Sequence, residues 1–104
     1  MFSIKLQSEY DDLDKYRNIV GDIWYCKKNR KMYHNPYGSA IISKDGYKSY
    51  LINGKWHRIE GPAAILIDGT EQYWINNDLL TKEQFEMDQE RLKYLGKGHL
   101  ICLT

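Results

Sequence analysis

YHNPYGSAIISKDGYKSYLIN (residues 33–53) lies over WHRIEGPAAILIDGTEQYWIN (residues 56–76) without a gap. His34 matches His57, Gly38 matches Gly61, Ala40 matches Ala63 and Ile42 matches Ile65. Asp45-Gly46 matches Asp68-Gly69, Tyr50 matches Tyr73, and Ile52-Asn53 matches Ile75-Asn76. Every pair is 23 positions apart, and nine identities in 21 positions far exceed chance. Tyr33 against Trp56 is an aromatic exchange at the same offset. A partial unit precedes these, running from Trp24-Tyr25 through the turn-like KKNRK to Met32-Tyr33-His34.

Such a period is the signature of stacked supersecondary units. Asn53-Gly54, Asp45-Gly46 and Asp68-Gly69 are two-residue turn signals between β-prone segments. Asn-Gly and Asp-Gly tolerate the positive φ of a type I′ turn, which matches strand twist. Asn76-Asn77 is a weaker version of the Asn-Gly site. The spacing therefore predicts an antiparallel meander over residues 22–80. Period two places Tyr50, Ile52, Tyr73 and Ile75 on one face as core candidates, with Leu51 and Trp74 on the other. A sheet that is apolar on both faces needs a second layer.

The flanks are expected to supply it. Thr81 can cap a helix while Gln84 returns to the Thr81 amide, and Leu80 can staple to Phe85. Phe85, Leu92 and Leu95 follow as a thin stripe, and Gly96 is a stop, which gives a C-terminal helix over 81–96. Leu6, Tyr10, Leu13 and Val20 have helical spacing, with Ser8 and Asp11 as a cap and Gly21 as an end. Phe2, Ile4 and Leu6 can alternatively alternate as a short strand. The fold expected is α+β in a single domain of 104 residues. An N-terminal strand or helix (1–21) and the C-terminal helix flank a meander of ~23-residue hairpin repeats (22–80). An apolar tail (97–104) closes the chain.

The stretch NGKWHRIEGPA (residues 53–63), followed by Asp68-Gly69, resembles a tandem repeat of uncharacterised proteins of bacteriophages and other large DNA viruses. It is loosely similar to MORN-type β-hairpin repeats, with different glycine spacing. Asn53, Gly54, Lys55, His57, Arg58, Gly61, Pro62, Ala63, Asp68 and Gly69 carry the match. The preceding unit departs from it: Asn35 stands in place of Arg, Ser39 in place of Pro, and no Asn-Gly turn comes before. The resemblance implies a β-meander and a viral origin. It implies no activity.

Composition narrows the function. The formal net charge of +1 argues against a DNA mimic and against binding nucleic acid through bulk charge. Lys27, Lys28, Arg30 and Lys31 form the one dense basic cluster, beside Tyr33; it reads as a solvated turn or as a single-strand binding loop. Cys26 and Cys102 are far apart, so free thiols in a reducing cytoplasm are expected. The start MFSIKLQSEYDD has no signal-peptide pattern, and no apolar run reaches membrane-span length, so no membrane association is expected.

No metal-ligand spacing, nucleophile motif or glycine-rich phosphate loop is present, so no cofactor or metal is expected. His57 with Arg58 reads either as an acid/base or anion site, or as a corner where His57 bonds backbone and Arg58 pairs with Glu60. The recurrence of His34 favours the corner. His34, His57, Gly54, Gly61, Pro62 and Gly69 are therefore assigned structural roles. Trp24, Leu51, Trp56, Arg58 and Trp74 are the expected partner contacts if the aromatic face stays open. The resulting expectation is a non-enzymatic viral protein that engages a host protein, with a homodimer through a sheet edge as a further possibility. Nucleic-acid or nucleotide binding, and a small enzyme using His57, are the alternatives.

Overall fold

The computed structural model describes residues 3–88. It holds β1 (Ser3–Leu6), β2 (Leu13–Asn18), β3 (Ile23–Lys27), β4 (Ile41–Ile42), β5 (Lys48–Ser49), β6 (Leu51–Ile52), β7 (Lys55–Trp56), β8 (Ala64–Ile65), β9 (Glu71–Ile75), β10 (Asp78–Leu80) and α1 (Lys82–Met87). Eight strands form one antiparallel sheet in the order β1-β2-β3-β4-β5-β8-β9-β10, and β6 and β7 form a separate hairpin. The expected antiparallel β architecture is present.

Two kinds of turn generate it. Asn53-Gly54 and Asn76-Asn77 each join strands whose closing pairs are Ile52 with Lys55 and Ile75 with Asp78. All four turn residues have positive φ, as a type I′ turn requires. The Asp-Gly sites are different. Gly46 and Gly69 have positive φ, whereas Asp45 and Asp68 do not. Their amides donate to the Ser43 and Leu66 carbonyls, while Ser43 and Leu66 donate to Tyr47 and Thr70. These are three-residue loops with glycine in the left-handed position, not the type I′ turns expected from the dipeptides. Residues 18–22 repeat this design with Gly21.

Gly21 therefore turns a hairpin rather than ending a helix. No N-terminal helix forms: β1 pairs with β2 from Ser3–Asn18 to Leu6–Lys15, and β2 pairs with β3. Of the four residues with helical spacing, Leu13 is buried at 1% exposure, yet Val20 is 56% exposed in the turn. A stripe cannot bury both ends of a segment that reverses direction at Asn18. Strand alternation, the other reading of this region, is what the backbone adopts.

The 23-residue offset reappears in the hydrogen bonds. Ala40 and Ala63 donate to Ser49 and Gln72; Asn35 and Arg58 donate to Leu51 and Trp74; Gly54 and Asn77 donate to Tyr33 and Trp56. The two turn-closing pairs above obey the same offset. Tyr25 and Tyr50 act as forks: their amides donate to Ala40 and Ala63 on one side, while their carbonyls accept from His34 and His57 on the other.

The core is narrow. Leu13, Tyr25, Cys26, Ala40, Leu51, Ala63, Ala64 and Phe85 are buried, as are Asp14, Asn35 and Ser49. The inward face assigned from sequence is reversed in the segment 48–52. Ser49 and Leu51 are buried, whereas Tyr50 and Ile52 are half-buried. Tyr73, Trp74 and Ile75 are all half-buried. The sheet centre uses Ala40, Ser49, Ala63 and Ala64, whose small side chains leave little space for further rings, so Tyr50 and Tyr73 stand at its margins.

At the C-terminal end the capping box forms. Thr81 Oγ1 accepts from the Gln84 amide at 3.0 Å, and the Thr81 amide donates to Gln84 Oε1 at 2.9 Å. Phe85 packs its ring 4.7 Å from Tyr73. Asp88 leaves helical geometry, so α1 is shorter than the helix expected over 81–96. The expectations for Phe2, Leu92, Leu95, Gly96, Cys102 and the tail lie outside the described residues.

Candidate interaction surface

The two matched histidines sit at matched corners. His57 Nδ1 accepts from the Asn76 amide at 3.1 Å, and His34 Nδ1 accepts from the Asn53 amide at 2.8 Å. An imidazole that accepts at Nδ1 must be neutral and carry its proton on Nε2. Burial holds both imidazoles below their ordinary pKa; at His34 the Lys27 charge adds to this and Asp12 opposes it. The neutral form fits the hydrogen bond. It also leaves His57 no free lone pair with which to take a proton from a substrate.

Arg58 is occupied as well. Its guanidinium lies over the Tyr50 ring at 3.9 Å, and Nη1 donates to the Pro62 carbonyl at 3.2 Å. It does not pair with Glu60, the partner expected from sequence. Twenty-three positions earlier, Asn35 makes the corresponding bond, from Nδ2 to the Ser39 carbonyl at 2.9 Å. Gly61 gives the guanidinium its room: a Cβ there would stand 3.3 Å from Nη1. Arg58 thus fills the place of Asn35 as a loop brace. His57, Arg58 and Tyr50 line an open cleft of about 620 Å³ with Asn35, Tyr37 and Glu60. His57 Nδ1 and one Arg58 Nη1 N–H on its wall are bonded to the backbone.

The apolar surface lies elsewhere. The Trp56 and Trp74 rings pack at 4.9 Å, tilted by 33°, and Trp74 stands opposite Leu79 in the β9–β10 pair. Residues directly opposite in an antiparallel pair share a face, so Trp56, Trp74 and Leu79 are contiguous. Tyr33, Trp56 and Leu79 are 45%, 36% and 56% exposed. They stand 23 residues apart in the sequence. Leu79 was missed by the sequence reading, although extending the alignment past Asn76 brings it under Trp56.

The other expected contacts separate from this row. Leu51 is 4% exposed and belongs to the core, which removes it as a partner contact. Trp24 is half-buried and stacks on Tyr16 at 6.0 Å, away from the Trp56–Trp74 pair. Gly54 and Gly69 have positive φ in turns, and Gly61 lies beneath the Arg58 guanidinium.

The lysine loop is built around Asp14. This buried carboxylate accepts from the Asn29 amide at 2.9 Å and lies 3.4 Å from Lys5 Nζ and 3.7 Å from Lys28 Nζ. The amide, with Lys5 and Lys28 in support, holds its carboxyl below the ordinary range against the opposing effect of burial. Asp14 thus offsets one of the two lysine charges beside it, and Lys28, Arg30 and Lys31 are all exposed. Among the described residues, no group of three or more His, Cys, Asp or Glu side chains could hold a metal ion. No described helix is long and apolar enough to cross a membrane.

Comparison with known proteins gave no match: no family model, no curated protein and no solved structure is similar to the chain.

Proposed function

We propose that the chain is a non-enzymatic protein-binding scaffold, assembled from tandem hairpin units of 23 residues, that presents an apolar row to a protein partner. The observation that carries this reading is the exposure of Tyr33, Trp56 and Leu79 at one recurring position, with Trp74 packed beside Trp56. Exposed aromatic anchors next to one another are the usual centre of a protein interface. The commitment of His57 and Arg58 to backbone carbonyls and amides supports a binding role over a catalytic one. Trp56 and Trp74 are the primary contacts, and Arg58 contributes by holding the cleft wall beside them. A viral source and a host-protein target follow from the resemblance of residues 53–69 and are part of the proposal, as is a cytoplasmic setting.

The test is affinity capture from host lysate with the intact chain and with Trp56→Ala, followed by calorimetry on the purified pair. Retention of a single protein by the intact chain, weakened at least tenfold by Trp56→Ala, is expected; hot-spot truncations commonly cost about 2 kcal/mol or more. Equal capture by both chains would remove the row from the interface. Oligonucleotide binding that falls steeply with salt would instead favour the loop formed by Lys27, Lys28, Arg30 and Lys31.

A further inference from the structure

Main-chain groups along the row show a second property. Trp56 is one residue beyond the closing pair of its hairpin, opposite Leu51. In a two-residue hairpin this is a non-hydrogen-bonded position, so its amide and carbonyl point outward. Both are answered by the next hairpin: the Trp56 amide donates to Asn77 Oδ1 at 2.8 Å, and its carbonyl accepts from the Asn77 amide at 2.9 Å. The Tyr33 carbonyl is answered by Gly54 in the same way. Leu79 holds the matching place opposite Trp74. There the series stops. The Thr81 amide, two residues on, is taken by Gln84 as α1 begins. Among the described residues the outward amide and carbonyl of Leu79 have no partner, and the Leu79 side chain is exposed.

We propose that β10 pairs with β10 of a second copy of this chain, antiparallel across a two-fold axis centred on Leu79. The amide and carbonyl of each Leu79 then meet the carbonyl and amide of the other, which is the only pairing a single outward residue can complete with itself. Opposite residues share a face, so the two leucines meet side by side. The apolar strip Trp56–Trp74–Leu79 continues without interruption into the second copy. The other sheet edge is less suited. On β1 the centre of the strand carries Lys5, a charge of the type that blunts edges. This inference stands apart from the identity of any other partner, because it requires only the purified chain.

The experiment is sedimentation equilibrium of the full chain over a wide concentration range, beside Leu79→Pro and Leu79→Lys. Proline removes only the outward N–H at this position and spares the β9–β10 ladder, as edge prolines do. Lysine keeps the N–H but adds a charge at the axis. A concentration-dependent dimer of the intact chain, weakened at least tenfold in both variants while their circular dichroism is unchanged, is the expected result. If Leu79→Pro does not fold, Leu79→Lys alone decides. An intact chain that stays monomeric up to millimolar concentration overturns the proposal, and so does a dimer that the folded variants retain in full.

Discussion

His34 and His57 are each a single side chain that closes a seam between hairpins, and their chemistry makes that closure depend on pH. Both are held below the ordinary imidazole pKa of 6.5. Above that pH neither folded nor unfolded chain binds the proton, and the staples contribute in full. As pH falls below 6.5 the unfolded chain protonates first and stability drops, until the folded imidazoles protonate too and the loss levels off. Asp14, Asp22 and Asp68 are also held below their ordinary value of 3.8, so their contribution is lost in a separate and more acidic window. Urea denaturation between pH 8 and 4 checks this. The intact chain is expected to weaken below about pH 6.5, and the double variant His34→Gln/His57→Gln to be flatter there while keeping the acid limb. At neutral pH each single variant should cost about 1 kcal/mol, the usual worth of one hydrogen bond. An unchanged profile in the double variant would mean that the seams do not rely on neutral imidazoles.

At the scale of elements, α1 shows how local code and tertiary contact combine. Six residues are too few for a stable isolated helix, and α1 is fixed by its cap and by Phe85 against Tyr73. Thr81→Ala should cost about 1 kcal/mol, in the range of lost N-caps. Thr81→Ala with Gln84→Ala should cost less than the sum of the two, because the pair acts as one box; urea midpoints of the three variants measure it. The cap was legible because T-x-x-Q is a local signal. So were the Asn53-Gly54 turn and the matched histidines, which the period exposes directly. The N-terminal hairpin was not. Leu13 and Val20 share a helical period by coincidence, and the turn at residues 18–22 is built by Asn18 Oδ1 accepting from the Val20, Gly21 and Asp22 amides, an arrangement with no Asn-Gly or Asp-Gly dipeptide to announce it. The inward face failed for a different reason. Hydrophobicity ranks Tyr50 and Ile52 above Ser49, yet close approach of the segments around Ala40, Ala63 and Ala64 selects for size. Within the surface, Trp56 and Trp74 were readable as aromatic, but only coordinates separate Leu51, which lies beneath, from Leu79, which lies outside.

Among the described residues, the molecule is one eight-stranded antiparallel sheet, the separate β6–β7 hairpin and α1. α1 packs against β9 and β10. On the proposed repeat architecture, the sheet gains most of its stability from contacts between neighbouring units rather than from one central core. Opening should then be graded along the strand order, since units at the ends lose one neighbour's support. The amides of Ala40, Tyr50 and Ala63 bond across the middle of the strand order at 2.9, 2.7 and 2.8 Å, beside fully buried Ser49. Native-state hydrogen exchange should find these three opening with the global unfolding free energy. The amides of β1 and β10 should open with distinctly less, toward the low end of the range seen for sub-global openings. Raising the protein concentration should protect the Leu79 amide specifically if β10 pairs with its copy, and should leave β1 unaffected. Uniform protection across all strands would instead describe a single cooperative unit, and the picture of hairpins stabilised by their neighbours would have to be abandoned.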